Sequence, residues 1–231
     1  MTSRPEPAST SLQYQLDEIT ANTRALVPPE RLARAESMVK ELRDSGIEDA
    51  RLPVGAQAPD FALTAASGKQ VRSADLLALG PVILKFFRGR WDPYDMTELE
   101  AWESLQPALR HHRCILVGIS PQTARQNAFT ADRHRLTFPL LSDPAGAVAT
   151  LFGLAYTVSP AHQDYFRSIL VNIPFLNGDT SWRLPLPATT ILNGEGTVIF
   201  SEAFADHRQR PEPAHVMAAL ESLVSRSSLQ F

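Results

Sequence analysis

Apolar strand-like runs alternating with helix-period segments predict an α/β fold, a mixed sheet flanked by helices, on three observations. Gly80-Pro81-Val82-Ile83-Leu84-Lys85-Phe86-Phe87 is a short, nearly unbroken apolar run of the kind that forms a strand buried on both faces. A second such run, Cys114-Ile115-Leu116-Val117-Gly118-Ile119, follows a helical pattern and precedes another, giving a βαβα unit with right-handed crossovers. Near the end, Ala188 to Leu192, the turn Asn193-Gly194-Glu195-Gly196 and Thr197 to Phe200 make a strong hairpin signal ahead of a last helix.

Taken in order, residues 11–46 read as two helices, the second opened by Pro28-Pro29 and closed by Ser45-Gly46, with Ala33, Met38, Val39 and Leu42 as its apolar stripe. This arm, placed at residues 1–50, carries no enzyme motif; the main domain is placed at 51–231. Punctuation from Arg51 to Pro59 leads to a strand at Asp60–Leu63 and a turn at Ser67-Gly68. The strand at Val82–Phe87 feeds a helix from Pro93 to residue 110, with Leu99, Trp102, Leu105, Ala108 and Leu109 at helix spacing. Strand 114–119 and helix 121–132 follow, then a short strand within Phe138–Leu141 and a helix capped by Ser142 or Asp143. Residues from about 154 to 184 read as a less regular region, and Pro211 opens a closing helix with Val216, Ala219, Leu220 and Leu223 on one face. The order βαβα then ββα is that of a thioredoxin fold with an N-terminal helical extension.

The chain has 231 residues, 44% hydrophobic and 20% charged, with a formal net charge of -3, as in an ordinary globular protein. That balance provides no electrostatic footprint for nucleic acid or an acidic membrane surface. No run reaches the roughly 18 apolar residues of a membrane span, and Met1 to Pro7 lacks a signal peptide's apolar segment, so a cytoplasmic protein is expected. The single cysteine, Cys114, precludes an intrachain disulfide and reads as a small core hydrophobe.

The loop Arg88-Gly89-Arg90-Trp91-Asp92-Pro93-Tyr94-Asp95 joins a buried strand to a helix at the carboxyl end of the sheet, where α/β proteins keep their chemistry. Together with Val54-Gly55-Ala56-Gln57-Ala58-Pro59-Asp60-Phe61, Ile119-Ser120-Pro121-Gln122, Phe138-Pro139-Leu140-Leu141-Ser142-Asp143, Asn177-Gly178-Asp179, Leu184 to Thr189 and Arg210-Pro211-Glu212-Pro213, it resembles the peroxiredoxin-like branch of the alkyl hydroperoxide reductase and thiol-specific antioxidant family. In that branch the loop looks like Arg-Gly-x-Trp-Cys-Pro-Tyr-Cys, and here both cysteine positions are aspartate, Asp92 and Asp95. The resemblance implies a thioredoxin fold and, because family members often dimerise, a homodimer. Peroxide reduction needs a thiolate that becomes a sulfenic acid, and a carboxylate has no such oxidation state. The loop therefore predicts lost peroxidase chemistry.

Two readings of the aspartates follow from their chemistry. Asp92 before Pro93 is a favourable N-cap and N1 pair, and Asp95 at N3 suits the positive helix end, so both could be helix caps in a retired site. Alternatively, paired carboxylates can divide acid and base roles when their environments push their pKa values apart. An isomerase, lyase, cyclase or hydrolase acting on a small organic molecule would then use Asp92 and Asp95, with Arg88, Arg90, Trp91, Tyr94, Pro187 and Thr189 around the substrate. Opposing this, the helix N-terminus and the arginines lower carboxyl pKa values, which burial would have to overcome. A non-catalytic protein binding a metabolite or partner, and a residual antioxidant role, are the alternatives. No cofactor or metal is expected. Pro185 or Pro187 resembles the cis-proline that faces the active loop in thioredoxin folds, with a trans turn proline as the alternative; His111-His112 read as a helix end, and His207 reads as a solvated loop residue unless it lies near Asp92.

Overall fold

In a computed structural model, residues 11–227 are described. The first ten residues of the predicted arm and the last four of the chain lie outside them. Two helices, α1 (Leu12–Leu26) and α2 (Pro29–Asp44), form the arm, followed by a 3-10 turn at Ile47–Ala50. Ser11 caps α1 locally, accepting from the Tyr14 N–H, while Glu212, 200 residues away, accepts from the Leu12 and Gln13 N–H groups at 3.1 and 2.8 Å. The free N–H groups of a helix start thus bind the arm to the far end of the chain.

The main domain runs β1 (Ala62–Ala65), β2 (Gln70–Arg72), α3 (Ser73–Leu77), β3 (Val82–Phe86), α4 (Pro93–Ser104), α5 (Gln106–His111), β4 (Ile115–Ser120), α6 (Ala124–His134) and β5 (Leu140–Ser142). It continues through a 3-10 turn into α7 (Ala147–Leu151), β6 (Ala155–Thr157), α8 (Pro160–Ser168), α9 (Ile173–Asn177), β7 (Arg183–Pro185), β8 (Ala188–Leu192), β9 (Val198–Ala203) and α10 (Pro213–Ser227). Seven strands form one sheet in the order β2-β1-β5-β4-β3-β8-β9, and β6 pairs with β7 separately. β3, β4 and β5 are mutually parallel, and β8 runs antiparallel to β3. This is the mixed sheet flanked by helices that the sequence pattern predicts.

Every residue of β3 is buried, so its pleat feeds two cores. Val82, Leu84 and Phe86 join Phe152, Leu76 and Val148 on the side of α3 and α7. Ile83 and Phe87 join Leu99, Trp102, Leu109, Val216 and Leu220 on the side of α4 and α10. Cys114 lies in that second core, and burial pushes its thiol up to about 12.

Several boundaries differ from the sequence reading. The helix predicted from Pro93 to residue 110 breaks at Leu105 into α4 and α5, because Pro107 suits the first turn of a new helix and not the interior of an old one. The helix predicted at 121–132 starts instead where Thr123 accepts from the Gln126 N–H, and the closing helix starts at Pro213, two residues later than Pro211. The strand at Asp60–Leu63 shifts to Ala62–Ala65, and the last strand continues to Ala203. Residues 154–184 are not irregular: they hold α8, α9 and the β6–β7 pair, whose short elements build a third apolar cluster of Met38, Val158, Phe166, Ile173, Trp182 and Leu184. Asp143 stands before a 3-10 turn and caps α7 from a distance, accepting from the Val148 and Ala149 N–H groups at 2.8 and 2.9 Å. No helix among the described residues is long and apolar enough to cross a membrane.

Candidate functional site

The loop between β3 and α4 carries a buried chain of alternating charges. Asp92 is the N-cap of α4: one of its oxygens accepts from the Tyr94 N–H at 3.0 Å. The other accepts from Arg88, at 2.8 Å from Nε and also from Nη2. Asp95 occupies N3 but turns back to the loop, where Oδ2 accepts from the backbone N–H of Arg88 at 2.8 Å and of Gly89 at 3.2 Å. Its Oδ1 accepts from Arg210 Nη2 at 2.6 Å. Arg210 also donates through Nε to Glu98 at 2.7 Å, and the second Glu98 oxygen accepts from Lys85, whose ammonium reaches the Thr189 hydroxyl as well. Three cations and three carboxylates, each at most 3% exposed, except Arg210 at 6%, therefore share one interior layer.

Burial is the largest influence on two groups of this layer, Asp95 and Lys85. It pushes Asp95 up, with the neighbouring Asp92 charge adding to it, to about 7 against the pull of Arg210 and Arg88. Burial likewise pulls Lys85 below its usual value despite Glu98. The condition set by the sequence, that burial must outweigh the helix end and the arginines, is met at Asp95. Yet every hydrogen-bond partner of Asp95 is a donor, so a proton placed on it would find no acceptor among them.

Directly over Asp92 opens a cavity of about 190 Å³. The arm lines it with Thr20, Val27, Leu32 and Met38, and α8 with Tyr165 and Phe166, followed by Ile169 just past its end. Of the residues singled out in the sequence, Arg88, Trp91, Asp92 and Tyr94 line it. The Arg88 guanidinium stacks 4.8 Å above the Trp91 ring, Trp91 meets Phe166 edge-on at 5.1 Å, and the Tyr94 hydroxyl is 3.0 Å from that of Thr20.

The other candidates fall outside the cavity. Arg90 turns away to Gln126 at 2.9 Å and stacks on Phe129 at 4.6 Å. Thr189 lies beneath the loop on Lys85, as part of the ion chain. Pro187 is buried, with its carbonyl accepting from Phe204, and all described peptide bonds, those of Pro185 and Pro187 included, are trans. Asp95 is likewise screened from the cavity, lying under the loop backbone.

His207, which the sequence leaves as a loop residue, shares the cavity with Asp92 and stands edge-on to Tyr94 at 5.4 Å. Burial, then Arg88, Arg210 and Arg208, push its imidazole well below 6.5, so it is uncharged at neutral pH. Its ring nitrogens have no hydrogen-bond partner among the described residues. Glu98 and Lys85 were also missed as partners. A lysine inside a strand buried on both faces is the signal for them, since such a charge requires a counter-ion.

A central mixed sheet with a capped helix start at its carboxyl edge defines a thioredoxin-type protein. The model of the AhpC/TSA family matches residues 54–201, and the chain belongs to that family. Provisionally named peroxiredoxins from two strains of Mycobacterium tuberculosis are each 34% identical over 103 residues, 45% of this chain and 67% of theirs. Among solved structures, the peroxidoxin BcpB of M. tuberculosis superposes with a TM-score of 0.59 at 24% identity, covering 75% of this chain and 97% of that one. A Cys-to-Ser variant of peroxiredoxin 6 from Arenicola marina gives a TM-score of 0.60 at 14% identity, covering 74% and 73%. These likenesses establish the peroxiredoxin type of thioredoxin fold.

Proposed function

We propose that this AhpC/TSA-family chain has no thiol peroxidase chemistry and instead binds a small organic molecule between its arm and the loop after β3. One observation carries the reading: at the loop positions where the family it resembles has cysteine, Asp92 and Asp95 each accept three hydrogen bonds, and Asp92 lines a cavity. A thiol with a pKa of about 12 is roughly one part in 10⁵ thiolate at neutral pH, which makes Cys114 an ineffective substitute nucleophile. Each of these two already accepts three hydrogen bonds, from Arg88, Arg210 and backbone N–H groups, and none of those partners can receive a proton from it, which opposes a proton relay through the pair.

Acid–base turnover on the bound molecule is a second reading, favoured by His207, an uncharged imidazole with unengaged nitrogens in the same cavity. In it His207 exchanges the proton and the aspartates hold Arg88 and Arg210 in place. The experiment for the main reading measures consumption of hydrogen peroxide and cumene hydroperoxide, with dithiothreitol as reductant, by wild type and Cys114→Ala. Equal background rates are expected; a Cys114-dependent rate overturns it. Turnover of any cavity ligand that His207→Gln abolishes while binding persists would move the assignment to the second reading.

A further inference from the structure

We infer that the cavity takes a compact apolar monoanion, a single-ring carboxylate of the arylacetate type; this rests on the binding reading above. Size sets the first limit. An apolar cavity of about 150 Å³ admits benzene, and about 190 Å³ here leaves room for one ring with a short polar arm. The walls match such a body: Val27, Leu32, Met38, Phe166 and Ile169 present hydrocarbon on opposing sides, without a carboxylate among them.

Charge sets the sign of the arm. Three arginines and two carboxylates line the cavity, Arg24, Arg88 and Arg208 against Glu36 and Asp92. Asp92 is held by Arg88; Arg208 is shared between Glu36 and Asp206, and Asp206 takes Arg43 as well, so Arg88, Arg208 and Arg43 match the three carboxylates of this network. Arg24 is the fourth arginine, close enough to Glu36 to pull its carboxyl down, and it leaves the network one positive charge in surplus. It stands exposed at the end of α1 and makes no hydrogen bond or ion pair among the described residues. A ligand with one negative charge completes the balance, with Arg24 and the N–H of neutral His207 as its donors. Burial first, and then Arg88, Arg210 and Arg208, hold His207 uncharged, so its ring adds an N–H donor to the lining without adding a charge.

Calorimetric titration of the full chain at low ionic strength with phenylacetate and with its neutral isostere phenylacetamide tests the assignment. Phenylacetate is expected to bind at least tenfold more tightly, Arg24→Gln to bring the two affinities together, and Ala35→Phe, which fills the cavity from α2, to abolish both. Circular dichroism and thermal unfolding establish that each variant is folded, and Val27→Phe serves as a second filling variant. Equal affinities in wild type, both lost on filling, overturn the anionic assignment and leave the binding reading standing. No saturable binding of either compound, or binding indifferent to filling, overturns both.

Discussion

Arg210 joins two carboxylates that are otherwise buried, and replacing it by methionine gives the sharpest test of the ion chain. The substitution preserves hydrocarbon bulk but removes donors to Glu98 at 2.7 Å, to Asp95 at 2.6 Å, and to the His207 and Gln209 carbonyls at 2.6 and 2.8 Å. Breaking a buried ion pair by deleting one partner costs about 3–5 kcal/mol, because the other charge stays desolvated. The pH dependence fixes where that cost falls. Native Asp95 sits at about 7, above the roughly 3.9 of an unfolded chain. Its protonated form therefore favours folding, a contribution lost as pH rises through the native value. Losing Arg210, which pulls that value down, moves it higher still. Near pH 5.5 Asp95 is protonated in both proteins and the deficit should be about 1–2 kcal/mol; near pH 8.5 it should reach the full 3–5 kcal/mol. With a urea m-value of about 3 kcal/mol/M, the midpoint at the higher pH should fall by more than about 1 M. Adding Asp95→Asn to Arg210→Met should recover part of the loss at high pH only. A deficit independent of pH, or larger in acid, would refute the reasoning.

Three further substitutions probe separate features. Asp92→Ala removes both the α4 cap and the counter-ion of buried Arg88, so a loss of about 3–5 kcal/mol is expected in urea unfolding, with partial recovery in Asp92→Ala/Arg88→Met; full stability in the single variant would contradict the pairing. Gly153→Ala places a Cβ at 1.8 Å from the Ala50 carbonyl oxygen at φ +70°, and should cost about 2–5 kcal/mol, seen as a fall in Tm of several degrees. Leu170, 93% exposed at φ +62°, is strained without packing in return, so Leu170→Gly should raise stability by about 0.5 kcal/mol, and a lowered Tm would show that its side chain packs in solution.

The sheet was legible because its central strands carry uninterrupted apolar runs, and because turn chemistry at Asn193-Gly194 marks the hairpin; Asn193 indeed accepts from the Glu195 and Thr197 N–H groups. Local capping was equally readable at Asp92-Pro93. What short-range patterns could not convey is pairing across the chain. Asp95 meets Arg210 from 115 positions away, and Lys85 meets Thr189 from 104 away. For the same reason His207 looked solvated: only folding places it beside Asp92. The elements within 154–184 escaped because each is nine residues or shorter, below the window over which periodicity is read, and because their apolar contacts include Met38 and Trp91 from elsewhere in the chain.

The arm is held to the rest of the molecule at discrete polar points: Glu212 at the start of α1, Tyr94 against Thr20, Arg208 against Glu36, and His162 against Ser37. Between those fasteners lie the residues that face the cavity, Val27, Leu32 and Met38. Selection can therefore vary the lining while the fasteners keep the helices in place, and variation there leaves the sheet and its ion chain untouched. On the proposed binding function that arrangement is an adjustable wall, on which new ligand preferences can be tried at small cost to folding.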